Sequence, residues 1–215
     1  IMSAMEYQPD SYIMKPFAKE VLEKRIKNIA AKKENIRDVE RAILNKDFDS
    51  ALRICDELLA TNPGNLSEIM SLKGEVLLKK ADYPRAADFY DKIMRMGNVG
   101  WAQLGRGRVE LLRGNYERAK DIFEYIISHN NKLMPAYDYL AETLLKLNNA
   151  QEAQQILMKA VNISPRALLR QKNLGNIAYR NEDFKTAETS FKAAVEQGKN
   201  SCYKNSTDYT SLAKT

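Results

Sequence analysis

The chain has 215 residues, of which 44% are hydrophobic and 29% are charged, and its net charge is +6. This composition is typical of a folded soluble protein rather than a disordered one, and no apolar run approaches the ~18 residues of a membrane span. The two cysteines, Cys55 and Cys202, are too distant in sequence for a metal motif or a disulfide framework, which fits a reducing cytoplasm. Basic and acidic residues are mixed along the chain, which argues against a nucleic-acid-binding protein.

The first predicted element is a short strand followed by a helix. The apolar run Tyr12-Ile13-Met14 ends at Lys15-Pro16, and a helical pattern begins at Phe17. A single strand is not stable without neighbouring strands, and the sequence predicts none before it. We therefore expect residues 1–30 to be the end of a domain whose main part precedes Ile1.

The helix that follows carries one apolar stripe, formed by Val21, Leu22, Ile26 and Ile29. An uncovered stripe of ~300 Å² or more is rare in a monomer. We therefore expect it to dock on the helices that follow or to form a homodimer with a second copy. No Gly or Pro occurs between Phe17 and Asn45, so one helix is predicted to continue rigidly into the next helical pattern.

The N-terminal stretch MEYQPDSYIMKPFAKEVLEKRIKNI resembles the last loop, strand and helix of a response-regulator receiver domain. The resemblance implies that Lys15 contacts a phosphoryl group, that Pro16 follows it in a cis peptide bond, and that Tyr12 is the aromatic switch residue. It also implies bacterial two-component phosphorelay signalling, with a histidine kinase as the phosphoryl donor. Mg²⁺ is implied only for a complete receiver domain, and no cofactor is expected for the residues present. The alternative is an irregular leader in which the Lys-Pro pair is accidental.

The rest of the chain repeats with a period of about 34 residues. Alanine fills one column of the repeat, at Ala51, Ala86, Ala119, Ala153 and Ala187. Mostly small residues lie twelve positions earlier, at Val39, Gly74, Gly107, Ala141 and Gly175. Mostly large apolar residues lie four positions after the alanines, at Cys55, Tyr90, Phe123, Leu157 and Phe191. Each unit holds two helical patterns joined by a polar turn, so the small positions let two helices approach and the large residues fill the next gap.

These columns resemble the tetratricopeptide repeat (TPR), a family of helix hairpins that stack into a superhelix. The resemblance implies an all-α superhelix, or α-solenoid, over residues 31–215, with five repeats and a truncated sixth, preceded by the α/β receiver remnant at residues 1–30. Val39 departs from the small residue usual at its position, so the first two helices are expected to lie further apart. The final YTSLAKT is expected to belong to the first helix of the sixth unit, with Ala213 at its small position.

No pattern of catalytic or metal-binding residues is evident, and we expect no enzyme activity. His129, the only histidine, is predicted to be a solvated loop residue. Gly105 and Gly107 lie inside a repeat helix, where small residues serve packing rather than phosphate binding. A fourth column lies three positions before the alanines and contains Tyr83, Tyr116 and Phe184. These three residues and Cys55 are predicted to lie in the core.

The TPR resemblance also implies that the first helix of each hairpin lines a concave side that binds a protein or peptide. Counting on the helical period from the small residues predicts eight inner-face residues: Trp101, Leu104, Arg108, Asp138, Glu142, Lys172, Asn176 and Tyr179. Arg108, Lys172 and Asn176 are candidates to hold a carboxylate or a peptide backbone, while Trp101 and Tyr179 offer aromatic contact area. Lys172 with Asn176 also resembles half of a clamp for a C-terminal carboxylate. The following unit offers Thr210 and Ser211 instead of the other half.

The leading hypothesis from the sequence is a cytoplasmic response regulator whose phosphorylated receiver controls a protein-binding TPR output. Phosphorylation would act through Tyr12 and through the helix joined to the first repeat. The alternative is a TPR scaffold or assembly protein with no phosphorelay role. Nucleic-acid binding would need the basic residues to fall on one face, and neither nucleic acid nor a membrane is expected as a partner.

Overall fold

The computed structural model describes residues 11, 13–61, 64–97, 99–199 and 206–213. Within these residues the regular secondary structure is entirely α-helical, which confirms the predicted all-α class. The helices are α1 (Lys19–Leu44), α2 (Phe48–Ala60), α3 (Leu66–Lys79), α4 (Tyr83–Met96), α5 (Gly100–Leu112), α6 (Tyr116–His129), α7 (Met134–Lys146), α8 (Ala150–Ile163), α9 (Leu168–Arg180), α10 (Phe184–Gly198) and α11 (Ser206–Ala213). Helices α1 to α10 supply the five predicted hairpins, and α11 contains the helix predicted for a sixth unit.

The chain divides into two compact units, one spanning residues 9–109 and the other residues 110–215. The first unit contains α1 to α4 and most of α5, and the second contains α6 to α11. Within each unit, helices adjacent in sequence pack on one another. This arrangement is that of an α-solenoid, in which each hairpin buries one face against its neighbours.

The turn inside each hairpin is fixed by a left-handed residue followed by a helix N-cap. The left-handed residues occupy the same position in successive repeats, and they are Lys46, Ala81, Gly114, Asn148 and Glu182. The residue after four of them caps the next helix through its side chain, and these caps are Asp47, Asp82, Asn149 and Asp183. At Asp183, for example, the carboxylate accepts a 3.1 Å hydrogen bond from the backbone N–H of Thr186. Such a cap satisfies a backbone donor that the helix itself cannot pair, an effect that typically contributes about 1 kcal/mol.

The repeat columns form the core, as predicted. Every alanine of the alanine column is 0% exposed, and the residues four positions later are at most 4% exposed. The ring of Tyr90 lies against Gly74 and Gly105, where an added Cβ would come within 2.6 Å and 2.2 Å of it. In the first repeat the sizes at the two positions are reversed. The larger Val39 lies where the other repeats have mostly small residues, and the smaller Cys55 lies where they have large ones; both are buried in one cluster. The larger side chain in one column therefore compensates for the smaller one in the other, and the core stays filled.

The predicted N-terminal strand is not formed. Ser11, Ile13 and Met14 lie outside any regular element, since the described residues offer no second strand to pair with them. The predicted switch residue Tyr12 lies outside the described residues. Lys15 and Pro16 are both exposed, and the peptide bond between them is cis, as the receiver resemblance implied.

Helix α1 runs unbroken for 26 residues from Lys19 to Leu44, which confirms the predicted rigid connection. Its apolar stripe is covered only in part, since Leu22 and Ile29 are half-buried while Val21 is 49% exposed and Ile26 is 55% exposed. The reason is length: α2 has only 13 residues, and burial along α1 begins at Ile36. The N-terminal half of α1 therefore lies beyond the packed part of the first hairpin.

Three aromatic residues predicted for the core lie at its edge. Tyr83 and Tyr116 are half-buried, and Phe184 is 49% exposed. Each is the first residue of its helix, where only part of the side chain can reach the neighbouring helices. Cys55 is fully buried, as predicted. His129 is exposed, as predicted, but it ends helix α6 rather than lying in a loop, and its ring centre is 4.0 Å from that of Tyr125.

Candidate functional site

The second unit contains a groove of ≈ 620 Å³ between the first helices of two successive hairpins, α7 and α9. We call it the inner-face groove. Four residues predicted for the inner face line it, and they are Asp138, Glu142, Asn176 and Tyr179. The sequence interpretation missed other lining residues that bear polar or aromatic groups, and they are Tyr139, Asn173 and Arg180. Apolar side chains such as Leu145 and Ile177 complete the walls.

A buried ion pair joins the two helices of the inner-face groove. Arg170 of α9 is only 4% exposed. Its Nε and Nη2 atoms donate to the two carboxylate oxygens of Asp138 on α7, at 2.8 Å and 2.7 Å. This two-point geometry fixes Asp138 and neutralises its charge. Within the part of the chain that the structure describes, the neighbouring carboxylate of Glu142 has no ion-pair or hydrogen-bond partner, and it faces solvent.

Aromatic surface is exposed beside the inner-face groove. Tyr179 is 40% exposed, and its ring packs edge-to-face on Phe184, with 5.6 Å between the ring centres. This contact with Phe184 supports the Tyr179 ring beside the groove. Lys172, also predicted for the inner face, is half-buried and does not line the groove.

The other three predicted inner-face residues, Trp101, Leu104 and Arg108, lie on α5 in the first unit, and all are half-buried. The Trp101 indole N–H donates to the Ser67 hydroxyl at 3.3 Å, and its ring lies edge-on to Tyr90. The guanidinium of Arg108 forms an ion pair with Glu75 of α3. A ligand carboxylate at Arg108 would therefore compete with Glu75.

A cavity of ≈ 640 Å³ lies beside Trp101 in the first unit, and Ser67, Glu75 and Asn65 also line it. Asn65 immediately precedes α3 and is 5% exposed, yet neither atom of its side-chain amide has a hydrogen-bond partner among the described residues. The residues that precede α7 and α9 in the same way are apolar, namely Leu133 and Ala167. An unpaired buried amide costs stability, so Asn65 is an exception among these positions.

The side chains of the described part of the chain form no evident metal or catalytic centre. Among these residues, no group of three or more His, Cys, Asp or Glu side chains is placed to hold a metal ion. Burial raises the pKa of the Cys55 thiol to about 11, which keeps it protonated and unreactive at neutral pH. None of the described helices is both long enough and apolar enough to span a membrane.

Residues 110–174 match the family model described as tetratricopeptide repeat. The fold of the chain is that of a tetratricopeptide-repeat protein. Two solved TPR structures illustrate the similarity. TTC0263 from Thermus thermophilus has a TM-score of 0.62 and 15% identity, over 85% of this chain and 97% of that one. YrrB, described as a TPR protein with an unusual peptide-binding site, has a TM-score of 0.54 and 17% identity, over 88% of this chain and 97% of that one.

A third structure with this fold is MamA 41-end from Desulfovibrio magneticus RS-1. It has a TM-score of 0.58 and 24% identity, over 79% of this chain and 97% of that one. A comparison with curated proteins finds no match. These similarities establish the TPR fold predicted from the repeat columns, and they provide no support for a receiver domain.

Proposed function

We propose that this chain is a protein-interaction scaffold that binds an extended segment of a partner protein in the inner-face groove. The observation that carries the proposal is the set of side chains gathered there. Asn173 and Asn176 offer amides beside the exposed carboxylate of Glu142, with Tyr179 as an aromatic wall. A side-chain amide both donates and accepts hydrogen bonds, so it matches the alternating N–H and C=O groups of an extended peptide.

The groove's charges and shape also suit a peptide better than a small metabolite. Glu142 and Arg180 bring opposite charges to one groove, so peptide side chains of either sign find a partner. The residues that line the ≈ 620 Å³ groove extend along both helices, from Asp138 to Leu145 on α7 and from Asn173 to Arg180 on α9. Stacked hairpins offer such a rigid surface without a catalytic centre. YrrB, which shares the fold, is described as having a peptide-binding site.

The proposal is tested by selecting binders from a displayed library of random peptides and measuring their affinity for variants. Tyr179→Ala and Asn176→Ala should each weaken binding by about 1 kcal/mol or more, since they remove groove contacts. Lys192→Ala is the matched control, because Lys192 lies on α10, away from the groove, in a surface ion pair with Glu188. Affinity unchanged by the two groove variants but reduced by Lys192→Ala would place the binding site on the second helices and refute the proposal.

Arg108→Ala asks whether α5 of the first unit holds a peptide at a site of its own. We expect it to weaken the binding of peptides selected on the first unit by about 1 kcal/mol. Glu75→Ala is its control, because it breaks the same ion pair while leaving the guanidinium in place. A loss common to both variants would indicate a structural effect of the ion pair rather than a ligand contact.

A second candidate function is the phosphorelay output suggested by Tyr12, Lys15 and Pro16, and the continuous helix α1 favours it. An unbroken helix from Lys19 to Leu44 would transmit movement at the N-terminal motif to the first hairpin. The test uses the full-length protein with acetyl phosphate and Mg²⁺, followed by its histidine kinase. Lys15→Ala should impair signalling more than labelling, and residues 1–215 alone should not be labelled. An upstream gene sequence without a strand-borne Asp would refute this candidate and leave the scaffold proposal standing.

A further inference from the structure

The N-terminal half of α1 carries a concentration of basic residues. Residues 19–35 contain six Lys and Arg and three Glu, a net charge of +3, which is half of the +6 carried by the whole chain of 215 residues. Basic and acidic residues are mixed in this segment, as the sequence indicated, but the basic residues are in excess. These residues lie on the part of the helix that projects beyond the packed first hairpin, so most of their side chains are exposed.

A groove of ≈ 410 Å³ runs along this part of α1, and we call it the basic groove. On α1 it is lined by Val21, Lys24, Arg25, Asn28, Ile29 and Lys32, and Ser11 borders it from the segment before the helix. Three cations line it, and none of the described lining residues is a carboxylate. This composition is that of a surface for an anionic partner.

The cations of the basic groove are available to a ligand. Arg25 donates from Nη1 to the Ser11 hydroxyl at 2.8 Å, a neutral partner, and none of the described residues forms an ion pair with it. Lys24 and Lys32 form no ion pair or hydrogen bond with any of the residues described. Lys73 on α3, by contrast, is paired with the carboxylate of Asp56.

The spacing of the cations indicates an elongated ligand. Lys24 and Lys32 are eight residues apart on one helix, which separates their Cα atoms by about 12 Å at 1.5 Å per residue. A single phosphate or carboxylate cannot contact both ammonium groups at that distance. The ligand must therefore carry several negative charges along its length.

Apolar side chains lie between these charges. Val21 and Ile29 line the basic groove on the same ridge as Arg25, at intervals of four residues. Val21 is 49% exposed, and the neighbouring Ile26 is 55% exposed. A partner that covers this surface must therefore bring apolar groups as well as negative charges.

We propose that the basic groove binds an acidic amphipathic helix of a partner protein. Acidic residues one or two turns apart on such a helix would meet Lys24, Arg25 and Lys32, while its apolar residues would cover Val21 and Ile29. A nucleic-acid backbone has no apolar groups to place on those two side chains. A second copy of α1 would set two helices of net charge +3 against each other, and a flat bilayer surface does not follow a concave groove. This site is separate from the inner-face groove and does not depend on it.

The test measures fluorescence anisotropy of a labelled peptide of about 16 residues, enough for four helical turns, with Glu and Leu arranged on one face. The peptide should bind the chain, and the affinity should fall as salt is added. Lys24→Ala with Lys32→Ala should reduce the affinity about tenfold, which corresponds to two ion pairs of about 0.7 kcal/mol each, within the usual range for exposed pairs. Val21→Ser should also reduce it. Lys192→Ala removes a similar surface charge from α10 and should leave binding unchanged.

Four outcomes would overturn the proposal. The first is equal binding of a peptide with Gln in place of Glu. The second is a DNA duplex that binds as tightly as the acidic peptide. The third is phosphatidylserine vesicles that bind as tightly as the acidic peptide. The fourth is a dimer in light scattering that Ile26→Ser dissolves, since a second copy would then cover the surface. Circular dichroism of each variant checks that the fold is intact.

Discussion

Replacing Gly175 by Ala tests the column packing most directly. A Cβ at Gly175 would lie 2.6 Å from Cε1, 2.8 Å from Cδ1 and 2.9 Å from Cζ of Phe191. Ordinary contacts between carbon atoms are about 3.5–4.0 Å, so the ring would have to move by about 1 Å. Phe191 is 4% exposed, and Ala178, Ala187 and Leu212 surround it. These neighbours restrict that movement.

Two opposing effects set the magnitude. Ala is favoured over Gly by about 1 kcal/mol inside a helix, so propensity alone predicts that Gly175→Ala stabilises the protein. Overpacking of a filled core costs about 1–3 kcal/mol. Because the contact is closer than any relaxed carbon pair and the ring is held on several sides, we expect overpacking to prevail. The expected result is a net loss of about 1 kcal/mol in the free energy of unfolding.

The assay is urea denaturation followed by circular dichroism. Gly97→Ala is the control, since an added Cβ there meets nothing within 4 Å and its backbone is extended. The double variant Gly175→Ala with Phe191→Leu reproduces the Ala141 and Leu157 combination of the preceding repeat. It should be more stable than the sum of the two single losses predicts. Stabilisation by Gly175→Ala alone, at the level of helix propensity, would refute the steric argument.

Three further predictions follow from single buried or capping groups. Asn65→Leu should raise the free energy of unfolding by about 1 kcal/mol, because it removes an unpaired buried amide; a loss in urea denaturation would show that the amide has a structural role. Asp183→Ala should cost about 1 kcal/mol at pH 7. Hydrogen bonding by Thr186 lowers the pKa of the Asp183 carboxyl below its ordinary 3.8. When the pH falls below the lowered pKa, the wild-type carboxylate is protonated and its cap is weakened. The stability difference between wild type and Asp183→Ala should therefore shrink at low pH. In a Cys202→Ser variant, the Cys55 thiol should react with a disulfide reagent at pH 8 only after denaturant is added, since burial raises its pKa to about 11. Rapid reaction of the folded chain would contradict the buried position of Cys55.

The periodic part of the fold was predictable because each column has one physical role. A position that must be small, such as Gly74 or Gly175, recurs wherever a large ring must fit against it, and the recurrence is visible in the sequence. The continuity of α1 was predictable for a similar reason, since nothing between Phe17 and Asn45 ends a helix. Exposure of Phe184 was not predictable from its column, because burial at the first residue of a helix depends on how far neighbouring helices reach.

The candidate sites were predicted only in part. Helical counting located Asp138, Glu142, Asn176 and Tyr179, since these positions follow from the small residues of the same helices. Helical counting missed the ion pair between Asp138 and Arg170. The shift of two packed helices along their axes depends on their whole interface, and counting within one helix does not give it. The basic groove was missed for a different reason. Net charge was assessed over the whole chain, and a local excess on one exposed helix does not appear in that total.

The unbroken course of α1 has a consequence for the direction in which a bound partner would point. Each residue of an α-helix advances by about 1.5 Å and rotates by about 100°. Lys24 in the basic groove is therefore about 18 Å from the buried Ile36 along the axis, at a fixed angle around it. Deleting Glu34 would turn the basic groove by about 100° relative to the first hairpin while leaving the lining of both intact. Deleting seven residues would restore the angle between the basic groove and the first hairpin to within about 20°. It would also bring the groove and the hairpin about 10 Å closer along the helix axis. The length of the helix between them, more than the identity of its residues, therefore determines which way the basic groove faces.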